Sequence, residues 1–418
     1  MRQLAAIAVF AVVAAACSTG AGQSDSGTPT DANDPAATTT TPETTPDAPP
    51  CTPTRELPGG DVETAPAGDR LLAIDTPGAR VRDGFDPNRI VDVLPPDAIR
   101  PIDEPCFDAV ETAGRWLQPV SPVLQVEVNG DQRAYPLGIM TQHEIVNDVI
   151  GGVPVTVTYC PLCNSGLAFE RELDGVVHSF GTSGSLFQSN LVMWDRQTST
   201  VWSQFTGEAL VGDLVPVTLE RITTSLLAFD EFAELAPDGL VLSPQVDDSR
   251  DYTRNPYPGY DDRTIDFGLF EGDTDDRLDP STRVVGVGAE DGAPVAVTLA
   301  ALREARTVAV EVAEQPVVVF WAPGAASALD TGRIDDGRDV GQSAAFVVGP
   351  EDGDPGGFRA ADDDPTTFVG SDGTRWNLLG EAVGGPREGA RLAPAHHDDT
   401  FWFVWFAFQP TTTVVDGT

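Results

Sequence analysis

Two cysteines stand two residues apart in Tyr159-Cys160-Pro161-Leu162-Cys163. At that spacing both sulfurs reach one point, which suits a reversible disulfide or two thiolates on one metal ion. The run before them, Val153-Pro-Val-Thr-Val-Thr-Tyr159, is made of β-formers, so Cys160 is expected where a strand ends. Three uses compete. The first is a redox dithiol passing electrons to an unknown redox or protein partner. A thioredoxin-type dithiol is followed by a helix, whereas Asn164-Ser-Gly-Leu-Ala-Phe169 reads as a turn into another strand. The second is a zinc or copper site. A closed zinc site takes four ligands, and no second Cys pair exists to complete it. Histidines would have to help, and copper accepts the same soft ligands. The third is a plain structural disulfide or a pair of buried thiols in an envelope or interaction protein.

The histidines are His143, His178, His396 and His397. His143 lies in Thr141-Gln-His-Glu-Ile-Val-Asn-Asp148, where a short helix is expected over Ile139 to Val149. That helix would put His143 and Asn147 on one face. A lone helical histidine is more often a structural group, but this one sits between two strands of the segment that carries the thiols. It is the candidate proton carrier or thiolate partner, so the catalytic set is Cys160, Cys163 and His143. The metal alternative adds His396 and His397 to those three. These two precede Phe401-Trp-Phe-Val-Trp-Phe-Ala-Phe408, which is apolar on both faces and reads as a buried central strand. Tyr252, Tyr257 and Tyr260 lie in a proline-stiffened loop that either lines a cleft or packs on the core.

Short apolar segments bounded by Gly, Asn and Asp recur from Val123 to Leu214, the grammar of antiparallel strands. Phe180-Gly-Thr-Ser-Gly-Ser-Leu186 is Gly-rich and reads as a tight turn. Helices are few, the clearest expected over Thr224 to Leu235. Displacing the chain on itself by 162 residues sets Gly130 on Gly292, Leu137 on Leu299, Val146 on Val308, Pro154 on Pro316 and Leu167 on Leu329. The offset exceeds solenoid periods and implies two halves from an internal duplication. It places Cys160 opposite Ala322, Cys163 opposite Ala325 and His143 opposite Ala305. The reactive groups then belong to the first half alone. The expected fold is mainly β (β-rich α+β), with related halves at about 120–220 and 280–410 of one domain spanning 85–418.

The remaining chain is an address and a tether. Met1-Arg-Gln, an apolar run from Leu4 to Ala16 and then Cys17 read as a secretory signal, too short to span a bilayer. Small residues directly before Cys17 point to lipidation there, although Ala replaces the usual Leu three residues earlier. Residues 18–54, rich in Thr, Pro and Asp, read as a disordered spacer, and 55–84 as an N-terminal extension. The expected location is outside the cell, lipid-anchored to the membrane. Setting Cys17 aside leaves four cysteines, so Cys51 and Cys106 are expected to form a disulfide. The formal charge is −40 and all 25 basic residues are Arg. No basic stripe exists for phosphate, which excludes nucleic acid as a partner. Asp273 to Asp276 and Asp362 to Asp364 lack the spacing of a calcium loop and read as solvated surface.

Several strings, in order, resemble the prokaryotic domain of unknown function 3179 family. They are Ala134-Tyr-Pro-Leu137, His143-Glu-Ile-Val-Asn-Asp148, Thr158-Tyr-Cys-Pro-Leu-Cys163, Phe180-Gly-Thr-Ser-Gly184 and Leu191-Val-Met-Trp-Asp-Arg196. Trp202-Ser-Gln204, Asn255-Pro-Tyr257 and Phe401-Trp-Phe-Val-Trp405 continue the series. The resemblance implies an exported or membrane-associated protein built around Tyr-Cys-Pro-x-Cys, with no assigned reaction. Relatives with selenocysteine at this pair favour redox use, and Asn164 stands where relatives often have Gly. His143 and Asp148 match the family string and are carried over as candidate site residues without a role.

Overall fold

The computed structural model describes residues 72–247, 249–262, 269–270, 272–288 and 293–417. Strands hold 39% of it and helices 15%, and no α-helix among the described residues exceeds seven residues, so the fold is mainly β. None of those helices is long and apolar enough to cross a membrane.

Two stretches of the chain each carry a hairpin, a short helix and a meander in that order. In the first unit a hairpin, β1 (Pro122–Val128) and β2 (Asp131–Pro136), leads into helix α1 (Leu137–His143). A meander follows: β3 (Ile145–Ile150), β4 (Val153–Cys160) and β5 (Ser165–Glu170). After an insertion containing β6 (Phe180–Phe187), β7 (Asn190–Asp195) and β8 (Val201–Ser203), the unit closes. Its last elements are β9 (Thr224–Ala228), α2 (Phe229–Leu235) and β10 (Leu240–Leu242). The second unit runs β11 (Arg283–Val287), β12 (Val295–Thr298), α3 (Leu299–Ala305), β13 (Thr307–Val312), β14 (Gln315–Ala322) and β15 (Gln342–Val347). It ends with β16 (His397–Phe401), α4 (Trp402–Phe408) and β17 (Thr413–Val415).

The match extends to backbone detail. Both α1 and α3 stop because the next residue is left-handed, Glu144 at φ 61° and Arg306 at φ 68°. In each case the carbonyl of that residue accepts from β4 or β14, Tyr159 N at 2.8 Å and Trp321 N at 2.9 Å. α2 and α4 end on Ala236 and Gln409 with nearly equal dihedrals. The 162-residue offset read from the sequence relates α1 to α3, β3 to β13 and β4 to β14, whereas β15 lies 177 residues after β5 and α4 lies 173 after α2.

The units interlock. A nine-stranded sheet takes the hairpin of the first unit and the meander of the second, in the order β13-β14-β15-β9-β1-β2-β10 and then Phe107–Ala109, with Ala393–Pro394 pairing β15 off this path. The meander of the first unit forms a four-stranded sheet with Arg221–Ile222, and the second hairpin forms another with β16 and β17. The insertion, joined by the edge strand Ile90–Asp92, builds a five-stranded sheet, on which Leu72 and Ala73 pack against Val192 and Trp194.

Four sequence expectations change. The helix expected over Ile139 to Val149 ends at His143, because the β-branched Ile145-Val146 run pairs with β4 instead. Asn147 is therefore not on a helical face with His143. Thr224 to Ala228 is a strand between β1 and β15, and the helix begins only at Phe229. Trp402 to Phe408 is a helix, not a strand, with Trp402, Phe403, Val404 and Trp405 all buried. Phe180 to Phe187 is a bulged strand rather than a turn. Gly184 there has φ 76°, and a Cβ would lie 2.0 Å from the Leu94 carbonyl oxygen.

Candidate dithiol site

β4 delivers Cys160 to the end of its strand, and the next four residues turn back into β5. The Cys163 N–H donates to the Cys160 carbonyl at 3.1 Å, which folds both side chains to one side. Asn164 closes the turn at φ 53°, a conformation that Asn or Gly tolerates best. The two Sγ atoms are 3.1 Å apart and both thiols are free. A disulfide bond is about 2.05 Å long, so closing it requires a movement on the order of 1 Å.

Three parts of the chain hold this turn. From the second unit, Phe401 N (3.1 Å) and Thr400 Oγ1 (2.9 Å) donate to the Cys163 carbonyl, at the junction of β16 and α4. Tyr260 Oη donates to the Leu162 carbonyl at 3.0 Å. The insertion covers the sulfurs through the Gln188-Ser189 turn between β6 and β7. The Ser189 carbonyl lies 3.4 Å from Cys163 Sγ and 3.9 Å from Cys160 Sγ. Gln188 and Ser189 both have positive φ, 55° and 61°, where hairpins normally place Asn or Gly. Asn190 Nδ2 approaches Cys163 Sγ at 3.4 Å and donates to Gln204 Oε1 at 2.7 Å. Gln204 Nε2 in turn donates to Thr158 Oγ1 of β4 at 2.9 Å.

Cys160 and Cys163 are 2% and 0% exposed, among Phe180, Met193, Trp202 and Phe401. Burial, reinforced by the neighbouring Cys160, pushes the Cys163 thiol well above its ordinary value, and the Asn190 amide opposes this only partly. At neutral pH Cys163 is a protonated thiol whose hydrogen can point at the Ser189 carbonyl.

The histidines are engaged elsewhere. His143 Nδ1–H donates to the Arg100 carbonyl at 2.7 Å, and Nε2 accepts from the Tyr252 hydroxyl at 2.7 Å. Burial lowers its pKa to about 4, so the ring is neutral, and neither nitrogen faces a sulfur. His178 Nδ1 pairs with Asp195 at 3.1 Å, and His396 Nδ1 with Thr223 Oγ1 at 3.0 Å. His397 opens β16, where its Nδ1–H donates to the Ala395 carbonyl and its Nε2 has no hydrogen-bond partner. It borders a cavity of about 20 Å³ with Asp398, whose Oδ1 is also unpartnered. Burial raises the Asp398 carboxyl to about 7, against the pull of Arg221. That space holds about one water.

The catalytic triplet expected from the sequence is thus brought together only as far as the two thiols. The five-residue metal set is not assembled. Among the described residues, one group of three or more His, Cys, Asp or Glu side chains has its ligand atoms within 4.8 Å of one another, and it is Asp261, Asp262 and Asp330. Arg283 and Arg338 already pair with Asp261, and Arg338 with Asp262. Asp148 is a structural anion that binds Arg133 at 2.7 Å and Tyr135 Oη at 2.6 Å. Asn147 stitches β3 to Phe180 through both ends of its amide. Cys106 is disulfide-bonded, and Cys51 and Cys17 lie outside the described residues.

The motif strings are spread through this packing, and a family comparison covers them. Residues 96–412 match the family described as protein of unknown function DUF3179. The chain belongs to that family. No curated protein and no solved structure matches it. Sequence reasoning missed Ser189, Asn190 and Thr400 in this DUF3179 site. Gln204 lay inside the Trp202-Ser-Gln string, which with Phe180-Gly-Thr-Ser-Gly184 and Leu191-Val-Met-Trp-Asp-Arg196 marked the insertion in the sequence.

Proposed function

We propose that this DUF3179 protein is exported, lipid-anchored at Cys17, and carries a thiol–disulfide redox centre at Cys160 and Cys163 on one of two copies of a duplicated unit. The observation that supports the reading best is the 3.1 Å separation of two free thiols in one turn. In the reaction, one thiol loses its proton and its thiolate attacks a partner protein's disulfide, forming a mixed disulfide and releasing one partner thiolate. The second cysteine, also deprotonated, then displaces the other partner sulfur. Cys160–Cys163 is oxidised to a disulfide, the partner is reduced to a dithiol, and the two protons end on it. Because both sulfurs are buried, the Gln188-Ser189 turn has to move aside for the partner to reach them. Burial keeps the Cys163 thiol protonated until then.

The test is a reduction-potential titration in glutathione buffers, read as the mass added by a thiol alkylator, with metal analysis of the same sample. A reversible two-thiol couple above about −300 mV in metal-free protein is expected. A lower potential would reduce the pair to a structural disulfide. Zinc or copper bound in proportion to protein and lost in Cys160→Ser would replace redox by metal binding.

A further inference from the structure

Away from the thiols, a cavity of about 230 Å³ opens between α1 and residues 250–253. Its walls are largely apolar and include Trp116, Leu117, Pro122, Ile139, Pro244 and Ile334. The polar side chains around it already have partners in the protein. Ser121 Oγ donates to Asp335 at 2.5 Å and Thr253 Oγ1 to Asp251 at 2.6 Å. Arg250 donates to Asp247 at 3.1 Å and to the Gln142 carbonyl at 2.8 Å. Tyr252 Oη donates to His143.

Comparison of the two units shows that this wall is specialised. Gly138 of α1 falls on Ala300 of α3, and His143 on Ala305. Both first-unit residues serve Tyr252. A Cβ at Gly138 would sit 2.3 Å from the Tyr252 carbonyl oxygen, and His143 holds the Tyr252 hydroxyl. These two departures from the sister helix seat an aromatic wall of the cavity, and neither touches the dithiol.

The cavity is partly open to solvent, so its apolar walls are released from water when a ligand enters. An apolar cavity of about 150 Å³ takes up benzene, so this one has room for a substituted ring or two fused rings. An ion entering it would lose water and meet side chains that are already paired. We propose that the cavity is a binding site for a neutral aromatic molecule of one or two rings, held against Trp116 and Tyr252 by contact. The site uses none of the residues of the redox reading and stands or falls separately from it.

Fluorobenzene titrated into the full chain and followed by fluorine NMR provides the test. Saturable shift and broadening are expected, and Ile334→Trp, which fills the space, weakens binding by about tenfold or more. Leu117→Trp fills it from another wall and serves if the first variant loses its near-ultraviolet circular dichroism. Tyr252→Phe keeps the ring and removes only a hydroxyl directed at His143, so its affinity stays within about twofold. No saturable binding up to the solubility limit, or unchanged affinity in a folded, filled variant, overturns the proposal. A large loss in Tyr252→Phe overturns its neutral, contact-only form.

Discussion

The segments that follow β4 and β14 are both buried but differ in backbone: Cys163 N–H returns to the Cys160 carbonyl and the chain re-enters β5 at Ser165, whereas Gly324 takes φ 140° and β15 begins only at Gln342. The first reads Cys160-Pro161-Leu162-Cys163 and the second Ala322-Pro323-Gly324-Ala325, each leaving a strand of eight residues preceded by the same helix and strand. Ala322 and Ala325 are fully buried, as Cys163 is. The lesson is that only one of these two buried segments carries sulfur. What surrounds them differs too, because Ser189, Asn190 and Gln204 come from the insertion of that unit.

The comparison breaks if Cys160→Ala/Cys163→Ala does not fold. It is expected to fold with unchanged near-ultraviolet circular dichroism, at a loss of about 1–3 kcal/mol for two shortened buried side chains. All redox titration behaviour should vanish, which is the largest effect anticipated. If instead the variant unfolds at ambient temperature, the pair is structural.

Much of this was legible in the sequence, and the reasons for the misses are physical. Val153–Cys160 announced itself as a strand by its β-branched residues. Trp402–Phe408 did not, because a segment apolar on every side carries no period and fits a buried helix as well as a strand. The early end of α1 rests on the left-handed backbone of Glu144, a residue with no sequence signature for that conformation. The thiol cover was invisible because Ser189 contributes a carbonyl, which any residue has.

Glu144 and Arg306 sharpen the comparison at the helix ends. They share one backbone conformation but not one environment. Arg306 donates to the Trp321 and Pro365 carbonyls, at 3.0 and 2.6 Å. Glu144 is 8% exposed, and burial lifts its carboxyl to about 8. The folded protein therefore holds this proton, and the unfolded chain releases it, between about pH 4.5 and 8. Stability contributed by the neutral form is complete below that window and is lost as pH rises through it. Glu144→Gln should match the wild type near the low end and exceed it above the high end, by on the order of a few kcal/mol. Urea denaturation across that range checks this, and a constant difference between the two proteins would refute it. Arg306→Gln should lose stability by about 1 kcal/mol, with no pH window.

The smallest effects concern Gly138 and Ala300, the paired positions one residue into α1 and α3. Propensity alone says that Gly is the poorer helix residue, so Gly138→Ala would stabilise by about 1 kcal/mol if α1 were free of neighbours. The Tyr252 carbonyl prevents this. With the new Cβ 2.3 Å from that oxygen, the loop backbone has to move, and a net loss of about 1–2 kcal/mol is expected instead. Ala300→Gly in the sister helix follows propensity and loses about 0.5–1 kcal/mol. Equal and opposite changes in urea midpoint would mean that Tyr252 does not press on α1. Losses in both, larger at Gly138 and accompanied by a shifted His143 ring resonance, would mean that the first helix keeps its glycine to hold Tyr252 against it.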